Sequence, residues 1–147
     1  MELTSSAFPN NGTIPARHSF RGGNVSPPLT ISGVPANAVS LVLICDDPDA
    51  PAGTWVHWVV WNIDPKTTLI PQGSFPSGAS EGVNSWGKAE WDGPAPPSGT
   101  HHYVFKLYAL KEPVSLKPGT NAKALGNAIQ GKILAETKLV GLFSANH

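Results

Sequence analysis

The chain has 147 residues, ten basic and ten acidic side chains, and a pI near 7.0. This length suits one domain whose hydrophobic core needs no disulfide or metal, and we expect a single domain over residues 1–147. No run of Lys or Arg is present, which argues against nucleic acid and charged membrane surfaces as partners. The N-terminal region lacks an apolar signal core, no stretch is long enough for membrane insertion, and Cys45 has no second cysteine to pair with. We therefore expect a cytoplasmic protein.

Glycine and proline punctuate the whole chain. Fifteen of each lie between short apolar runs rather than in one linker. That arrangement is typical of a loop-rich β protein, and no internal repeat suggests another architecture. The chain is therefore predicted to be mainly β.

The first two strong strand patterns occupy residues 38–46 and 54–62. The segment "AVSLVLICD" is apolar at almost every position, which predicts a central strand covered on both faces. The segment "TWVHWVVWN" is apolar on both of its faces when side chains alternate. One predicted face carries Trp55, His57, Val59 and Trp61, and the other carries Val56, Trp58 and Val60.

A third strand is predicted at residues 101–110, "HHYVFKLYAL". Alternation places His101 on the same face as the apolar row of Tyr103 and Phe105. His102 falls on the opposite face. We expect His101 to point inward and His102 outward.

The C-terminal part is predicted to contain a short helix and one further element. Thr120 can cap a helix with Ala124, Leu125, Ala128 and Ile129 at helical spacing, and Gly131 can end it. The tail at residues 132–143 fits either helix or strand, and its β-branched residues favour a strand.

Acids and histidines cluster at the ends of the predicted strands, where loops on a rigid sheet often carry ligand sites. Asp47 shares the parity of Cys45, so its carboxylate should point inward and needs a partner, for which His57 and His101 are the candidates. Two ordinary interpretations remain open. Asp47 and Asp49 can be turn formers, and a histidine in an apolar strand can be a hydrogen-bonded core residue.

The loop "GPAPPSGT" before the third strand forms a second cluster. Its prolines restrain the backbone, and Gly93 and Gly99 permit close approach of a ligand to backbone N–H groups. Trp86 and Trp91, which lie among Gly and polar residues, are expected at the rim of a site. Cys45 is expected to be an inert buried thiol.

Familiar catalytic and metal motifs are missing, and we expect no cofactor, no metal and no catalytic residue. The sequence contains no GxSxG, GxxxxGK[ST], HExxH or CxxC pattern. A metal site built from Asp47, His57 and His101 is a minor alternative. A second alternative is a weak hydrolase with a histidine as general base, for which Ser98 and Thr100 are the nearby hydroxyls.

The two clusters together resemble the signature regions of the phosphatidylethanolamine-binding protein family. The segments are "DDPDAPAGTWVHWVVWNI" and "GPAPPSGTHHYVFKLYAL", and the likeness is to the short bacterial and archaeal branch, often labelled Raf-kinase-inhibitor-like. The N-terminal "SSAFPNNGTIPARHSFRGGNVSPPLTISGVP" and the C-terminal "LGNAIQGKILAETKLVGLF" resemble that branch as well. Residues 20–24 depart from it, because they lack the Cys-Asp-Gly that often precedes Asn24, and Trp86 and Trp91 stand where Phe or Tyr is more usual.

The resemblance implies a β-sandwich with Greek-key connections, a large central antiparallel sheet, a smaller sheet and one or two short helices. It also implies a small pocket for phosphate, phosphorylethanolamine or carboxylate anions. Carried over residue by residue, that pocket would consist of Asp47, Asp49, Ala50, Trp55, His57, Gly93, Ala95, Pro96, His101 and Tyr103.

The expected function is therefore a non-catalytic module that binds a small anion or a phosphorylated partner and acts as a kinase- or protease-inhibitor-like regulator. Family members also suggest a homodimer. They further suggest cis peptide bonds at Ala50–Pro51 and Gly53–Thr54.

Overall fold

The computed structural model describes residues 1–145, which form nine strands and one α-helix. The strands are β1 Glu2–Thr4, β2 Gly12–Thr13, β3 Leu29–Ser32, β4 Ser40–Asp47, β5 Trp55–Ile63, β6 Leu69–Ile70, β7 Ser80–Glu81, β8 Thr100–Leu110 and β9 Ile133–Ser144. The helix α1 spans Ala122–Ile129, and a 3₁₀ turn spans Ala16–His18. Within residues 1–145, no helix combines the length and apolar character needed to cross a membrane.

The strands build two sheets. The larger has the order β2-β9-β8-β4-β5-β7, and the smaller has the order β1-β3-β6. All pairings are antiparallel except that of β2 with β9. Strands that follow one another in sequence often lie apart or in different sheets, as Greek-key connections require. The predicted mainly β fold with a large and a small sheet is confirmed.

The large sheet carries a hydrophobic core on each face. Its inner face packs on the small sheet, and Leu43, Phe105 and Leu107 belong to the same buried cluster as Ile31 of β3. Its outer face packs on α1, where Trp61 is fully buried in a second cluster with residues of the helix. Because both faces of β4 are covered, all eight of its residues are buried, which explains its unbroken apolar sequence.

The predicted elements are found, with one shift at the helix. Its N-cap is Asn121, whose side chain accepts a hydrogen bond from Ala124 N at 2.9 Å, and not Thr120. Thr120 Oγ1 instead donates to Lys117 O in the preceding turn. Gly131 has a φ of +77°, which suits the chain reversal after the helix. The tail forms β9, so the preference for a strand is confirmed.

The expected alternation along β5 is wrong at its start, because the strand contains a β-bulge. Cys45 pairs with Trp58, but the next residue of β4, Asp46, pairs with Val56, so His57 is an extra residue. Beyond the bulge, Val59 joins the outer core. His57 therefore lies on the inner side of the sheet and not on the face of Val59 and Trp61.

The expected cis peptide bonds are also absent: all peptide bonds between residues 1 and 145 are trans, including Ala50–Pro51 and Gly53–Thr54. The turn is made instead by Gly53 at a φ of +107°, and its N–H donates to Ala50 O at 3.2 Å. A left-handed glycine reverses the chain here without a cis bond.

Candidate functional site

A cavity of about 440 Å³ opens where β4, β5 and β8 end on the inner side of the large sheet. Loops from four parts of the chain complete its walls. The lining residues are Phe20, Arg21, Asp47, Ala50, Pro51, Ala52, Gly53, Trp55, His57, Trp86, Ala95, Pro97, His101 and Tyr103. Polar groups from the strands are thus combined with apolar groups from the loops, as is common in ligand sites.

A buried carboxylate and imidazole form a close pair in this cavity. His101 Nδ1 lies 2.6 Å from Asp47 Oδ2, and the two residues are 7% and 4% exposed. An ionised carboxylate only accepts, so Nδ1 carries the proton and donates. Asp47 Oδ1 also accepts from Asp49 N at 2.8 Å. The same carboxylate therefore stabilises the turn after β4 and orients His101. His101 is left with Nε2 for contact with a ligand.

His57 has a different partner. Its Nδ1 donates to the backbone carbonyl of Asp92 at 2.6 Å, so the expected contact with Asp47 is not the one that orients it. Burial lowers the pKa of His57 below its ordinary value, against the opposing effects of the Asp92 carbonyl and of Asp47. The ring is therefore neutral near pH 7, with its proton on Nδ1 and an unprotonated Nε2 that can accept a hydrogen bond.

Tyr103 lies between the two histidines, in ring contact with each. Its hydroxyl is buried without a well-formed hydrogen bond, although the Ala95 backbone lies beside it. Burial, and then the negative charge of Asp47, raise the pKa of Tyr103, so the phenol stays protonated. A protonated hydroxyl with no firm partner is a donor for a ligand oxygen.

A buried polar network holds the loop that orients His57. The two carboxylate oxygens of Asp92 accept from Asn24 Nδ2 and Asn84 Nδ2, both at 2.8 Å. Asn24 Oδ1 in turn accepts from Gly93 N at 2.7 Å. Sequence reasoning missed this network, because Asn24 is 68 residues from Asp92 and each member is an ordinary turn residue by itself.

Three aromatic rings form one wall of the cavity. Phe20 and Trp86 are stacked, with centroids 5.2 Å apart and planes at 13°. Trp55 meets Trp86 edge to face at 5.4 Å. Trp86 thus lies at the rim, as predicted. The same prediction for Trp91 is wrong, because Trp91 is 6% exposed and stacks on Phe105 in the inner core.

The structure brings seven of the ten predicted site residues to the cavity. These are Asp47, Ala50, Trp55, His57, Ala95, His101 and Tyr103. Sequence reasoning missed Phe20, Arg21, Pro51, Ala52, Gly53, Trp86 and Pro97 as lining residues, although the rim position of Trp86 was expected. The missed residues come from loops whose positions no strand periodicity determines.

The other three predicted residues have different places. Asp49 lies outside, where its carboxylate accepts from both the backbone N and the Nδ1 of His102. Gly93 is buried, and a Cβ at this position would lie 1.9 Å from His18 O, so glycine is needed for close packing. Pro96 lines a neighbouring cavity.

Among the residues that the structure describes, none of those that line the cavity is a serine, threonine, cysteine or lysine. Cys45 is fully buried beneath it, and burial raises the pKa of its thiol well above the ordinary value, which makes it unreactive. Within residues 1–145, no three His, Cys, Asp or Glu side chains converge as metal ligands would. The geometry thus gives no support to the alternative metal site.

This two-sheet β fold, with a cavity at the ends of its central strands, is characteristic of one class of protein. The chain belongs to that class, the phosphatidylethanolamine-binding protein family. The family model matches residues 4–144. A UPF0098 protein of Methanothermobacter thermautotrophicus is 45% identical in an alignment 148 positions long, gaps included, that covers 97% of this chain and 98% of that protein.

Two solved structures are similar over almost the whole chain. CT736 of Chlamydia trachomatis, described as a homologue of the family, has a TM-score of 0.93 at 38% identity, over 97% of this chain and 95% of that one. YbcL of E. coli, described as a new member of the mammalian family, has a TM-score of 0.90 at 32% identity, over 97% of each chain.

Proposed function

We propose that this protein is a non-catalytic module that binds a small anion in the cavity: phosphate, phosphorylethanolamine or a carboxylate, free or carried by a phosphorylated partner. The observation that carries the proposal is the set of unpaired polar groups at the cavity floor. The Nε2 atoms of His57 and His101 remain after each Nδ1 is engaged, and the Tyr103 hydroxyl has no firm partner. Buried groups of this kind favour a ligand that completes their hydrogen bonds.

The two histidines support the proposal in different ways. Asp47 holds His101 through Nδ1, which leaves Nε2 of His101 for a hydrogen bond with the anion, and a hydrogen bond to an ionised group is stronger than one between neutral groups. Neutral His57 accepts at Nε2, and a phosphate that carries one proton can donate to it. Tyr103 adds a second donor. A protonated phosphate group would therefore satisfy all three residues.

A regulatory role in the cytoplasm is part of the same proposal. The family assignment and the absence of a nucleophile from the cavity lining favour binding over turnover. The single cysteine fits a reducing compartment. One relative points elsewhere: LppC of Mycobacterium tuberculosis, whose name marks it as a candidate lipoprotein.

Calorimetric titration of the purified protein with phosphate and phosphorylethanolamine tests the proposal. His101→Ala should weaken binding by roughly tenfold to a hundredfold, the loss expected for one charge-assisted hydrogen bond. His102→Ala is the matched control, because His102 is exposed on the opposite face and pairs with Asp49. Absence of binding by the wild-type protein would contradict the proposal, and equal losses in the two variants would contradict the assigned site.

A weak hydrolase is the second candidate, and the Asp47–His101 pair favours it. A carboxylate that orients an imidazole is the arrangement of a general base, here with water as the only available nucleophile. Phosphoester and ester turnover that disappears in His101→Ala and persists in His102→Ala would support this activity. Turnover that is unchanged in His101→Ala would exclude it.

A further inference from the structure

A separate cavity of about 280 Å³ lies beside the edge strand β7 and shares no lining residue with the anion cavity described above. Glu81 of β7 is the one charged side chain among its described lining residues. We call it the Glu81 cavity. It carries a negative charge where the anion cavity carries histidines, so the two cavities suit ligands of different charge.

The Glu81 carboxylate is half-buried and lacks a cationic partner. Its Oε2 accepts from Trp58 Nε1 at 2.7 Å, and it forms no ion pair within residues 1–145. Burial raises the pKa of Glu81 against the effect of the Trp58 hydrogen bond, and no described cation helps to lower it. A carboxylate can accept about four hydrogen bonds, so Oε1 is available to a ligand cation, which would offset the cost of burial.

Two serine hydroxyls that line the Glu81 cavity are also unpaired. Ser26 is 6% exposed and Ser74 is half-buried, and neither Oγ makes a hydrogen bond to any other described residue. A hydroxyl on so buried a residue as Ser26 favours a ligand that completes its hydrogen bonds. With Glu81 there are three acceptor side chains, and a primary ammonium group has three N–H donors.

Aromatic rings surround these acceptors. Trp58 and Trp91 meet edge to face at 5.8 Å and are almost fully buried, whereas Phe75 is 39% exposed. Indole and phenyl faces attract cations, and a lysine-type chain lays its methylene groups along an apolar surface while its ammonium group reaches a polar one. Phe75 therefore suits the hydrocarbon stem of an amine whose charged end lies at Glu81.

We propose that the Glu81 cavity binds a primary alkylammonium group of the kind that a lysine side chain carries. The ammonium nitrogen donates to Glu81 Oε1 and to the hydroxyls of Ser26 and Ser74, and the stem lies against Phe75. A quaternary ammonium group has no N–H to donate and suits these acceptors less well. This site is distinct from the proposed anion site and does not depend on it.

NMR titration of isotope-labelled protein with n-butylamine at pH 7 tests the inference, because the Trp58 indole N–H is bonded to Glu81 and reports on it. Its signal should shift to saturation, and n-butylammonium should bind at least about tenfold more tightly than uncharged n-butanol, and more tightly than tetramethylammonium. Glu81→Gln keeps an acceptor for Trp58 but removes the charge, and it should weaken amine binding by roughly tenfold or more. Ser26→Ala should weaken it by about twofold to tenfold.

Glu136→Gln is the matched control, since it makes the same charge change at an exposed residue of β9 that does not line this cavity, and it should bind the amine as wild type does. Circular dichroism confirms that each variant is folded. No shift with n-butylamine, equal affinity for n-butanol, or unchanged binding in Glu81→Gln would overturn the inference. Phosphate affinity should be the same in Glu81→Gln as in the wild type, so failure at one site is distinguishable from failure at the other.

The source of the ammonium group is distinguished by a second amine. Nα-acetyl-lysine methylamide presents the same ammonium group and stem on a peptide unit. Tighter binding of this compound than of n-butylamine would assign the group to a lysine of a partner protein, and the reverse order would assign it to a free amine.

Discussion

The two histidines in the cavity, His57 and His101, have different chemistry because their hydrogen-bond partners differ. His101 donates to a carboxylate, while His57 donates to a backbone carbonyl. Burial lowers the pKa of His57, so this ring stays neutral near pH 7 and its Nε2 can accept a hydrogen bond. The cavity thus combines an imidazole held by a side-chain carboxylate with a neutral imidazole held by the backbone.

The neutrality of His57 leads to a pH dependence of folding stability. Its folded-state pKa is lowered by burial, so below the ordinary histidine pKa of about 6.5 the unfolded chain binds a proton that the folded protein does not. The free energy of unfolding should therefore fall as the pH decreases from 7 to 5. Buried His18, whose pKa is lowered in the same direction by burial, should contribute as well.

His57→Gln tests this, because an amide can still donate to the Asp92 carbonyl but does not titrate. The decrease in the free energy of unfolding between pH 7 and pH 5, measured by urea denaturation, should be smaller in His57→Gln than in the wild type. A decrease as large in His57→Gln as in the wild type would show that His57 is not held neutral.

At the scale of elements, local sequence patterns determined the four long strands β4, β5, β8 and β9 and the helix, and left the five short strands unpredicted. The alternation along β8 is confirmed, with His101, Tyr103 and Phe105 buried and His102 exposed, because the pairing of β8 with β9 runs without a register shift up to Ala109. The alternation along β5 fails at the bulge beside His57 and again near Asn62, where the pairing with β4 shifts a second time, and nothing in "TWVHWVVWN" reveals either shift. The bulge depends on how β5 pairs with β4.

Helix α1 provides an element-scale prediction with two opposite substitutions. Asn121→Ala removes the capping hydrogen bond to Ala124 N and should lower the free energy of unfolding by ~0.5–2 kcal/mol. Gly126→Ala should raise it by ~0.5–1 kcal/mol, because Gly126 is within the helix and an added Cβ meets no atom within 4 Å. Thermal or urea denaturation measures both changes. A stability loss in Gly126→Ala would contradict the open space beside this residue.

For the whole molecule, the two cores on either face of the large sheet should unfold together. Trp61 is fully buried in the outer core and Leu43 is fully buried in the inner core. Their strands, β5 and β4, are neighbours in the large sheet. Trp61→Ala and Leu43→Ala should lower the free energy of unfolding by ~3–5 and ~2–5 kcal/mol. One transition, coincident by fluorescence and circular dichroism, is expected in each variant, as for a single domain. Separate transitions would contradict the single domain over residues 1–147.

The homodimer stays a prediction at the same scale. Val39 and Ile133, 49% and 40% exposed, both adjoin Leu110 at one end of the large sheet, and such side chains are candidates for an interface. Light scattering at micromolar concentration should give twice the monomer mass, and Ile133→Lys should shift it toward the monomer. A monomeric wild-type protein would contradict the prediction.

The sequence by itself determined the mainly β class, the principal strands, the inward His101 and outward His102, and the need of Asp47 for a histidine partner, but not which histidine it is. These follow from short-range periodicity and from the need of a buried acid for a donor, which are properties of neighbouring residues. Only the tertiary structure decided the side on which His57 lies, its Asp92 partner 35 residues away, and the contact between Asn24 and Asp92 across 68 residues. The tertiary structure alone placed Arg21 and Phe20 at the cavity. The position of a loop depends on packing between distant segments, and no local sequence pattern encodes that packing.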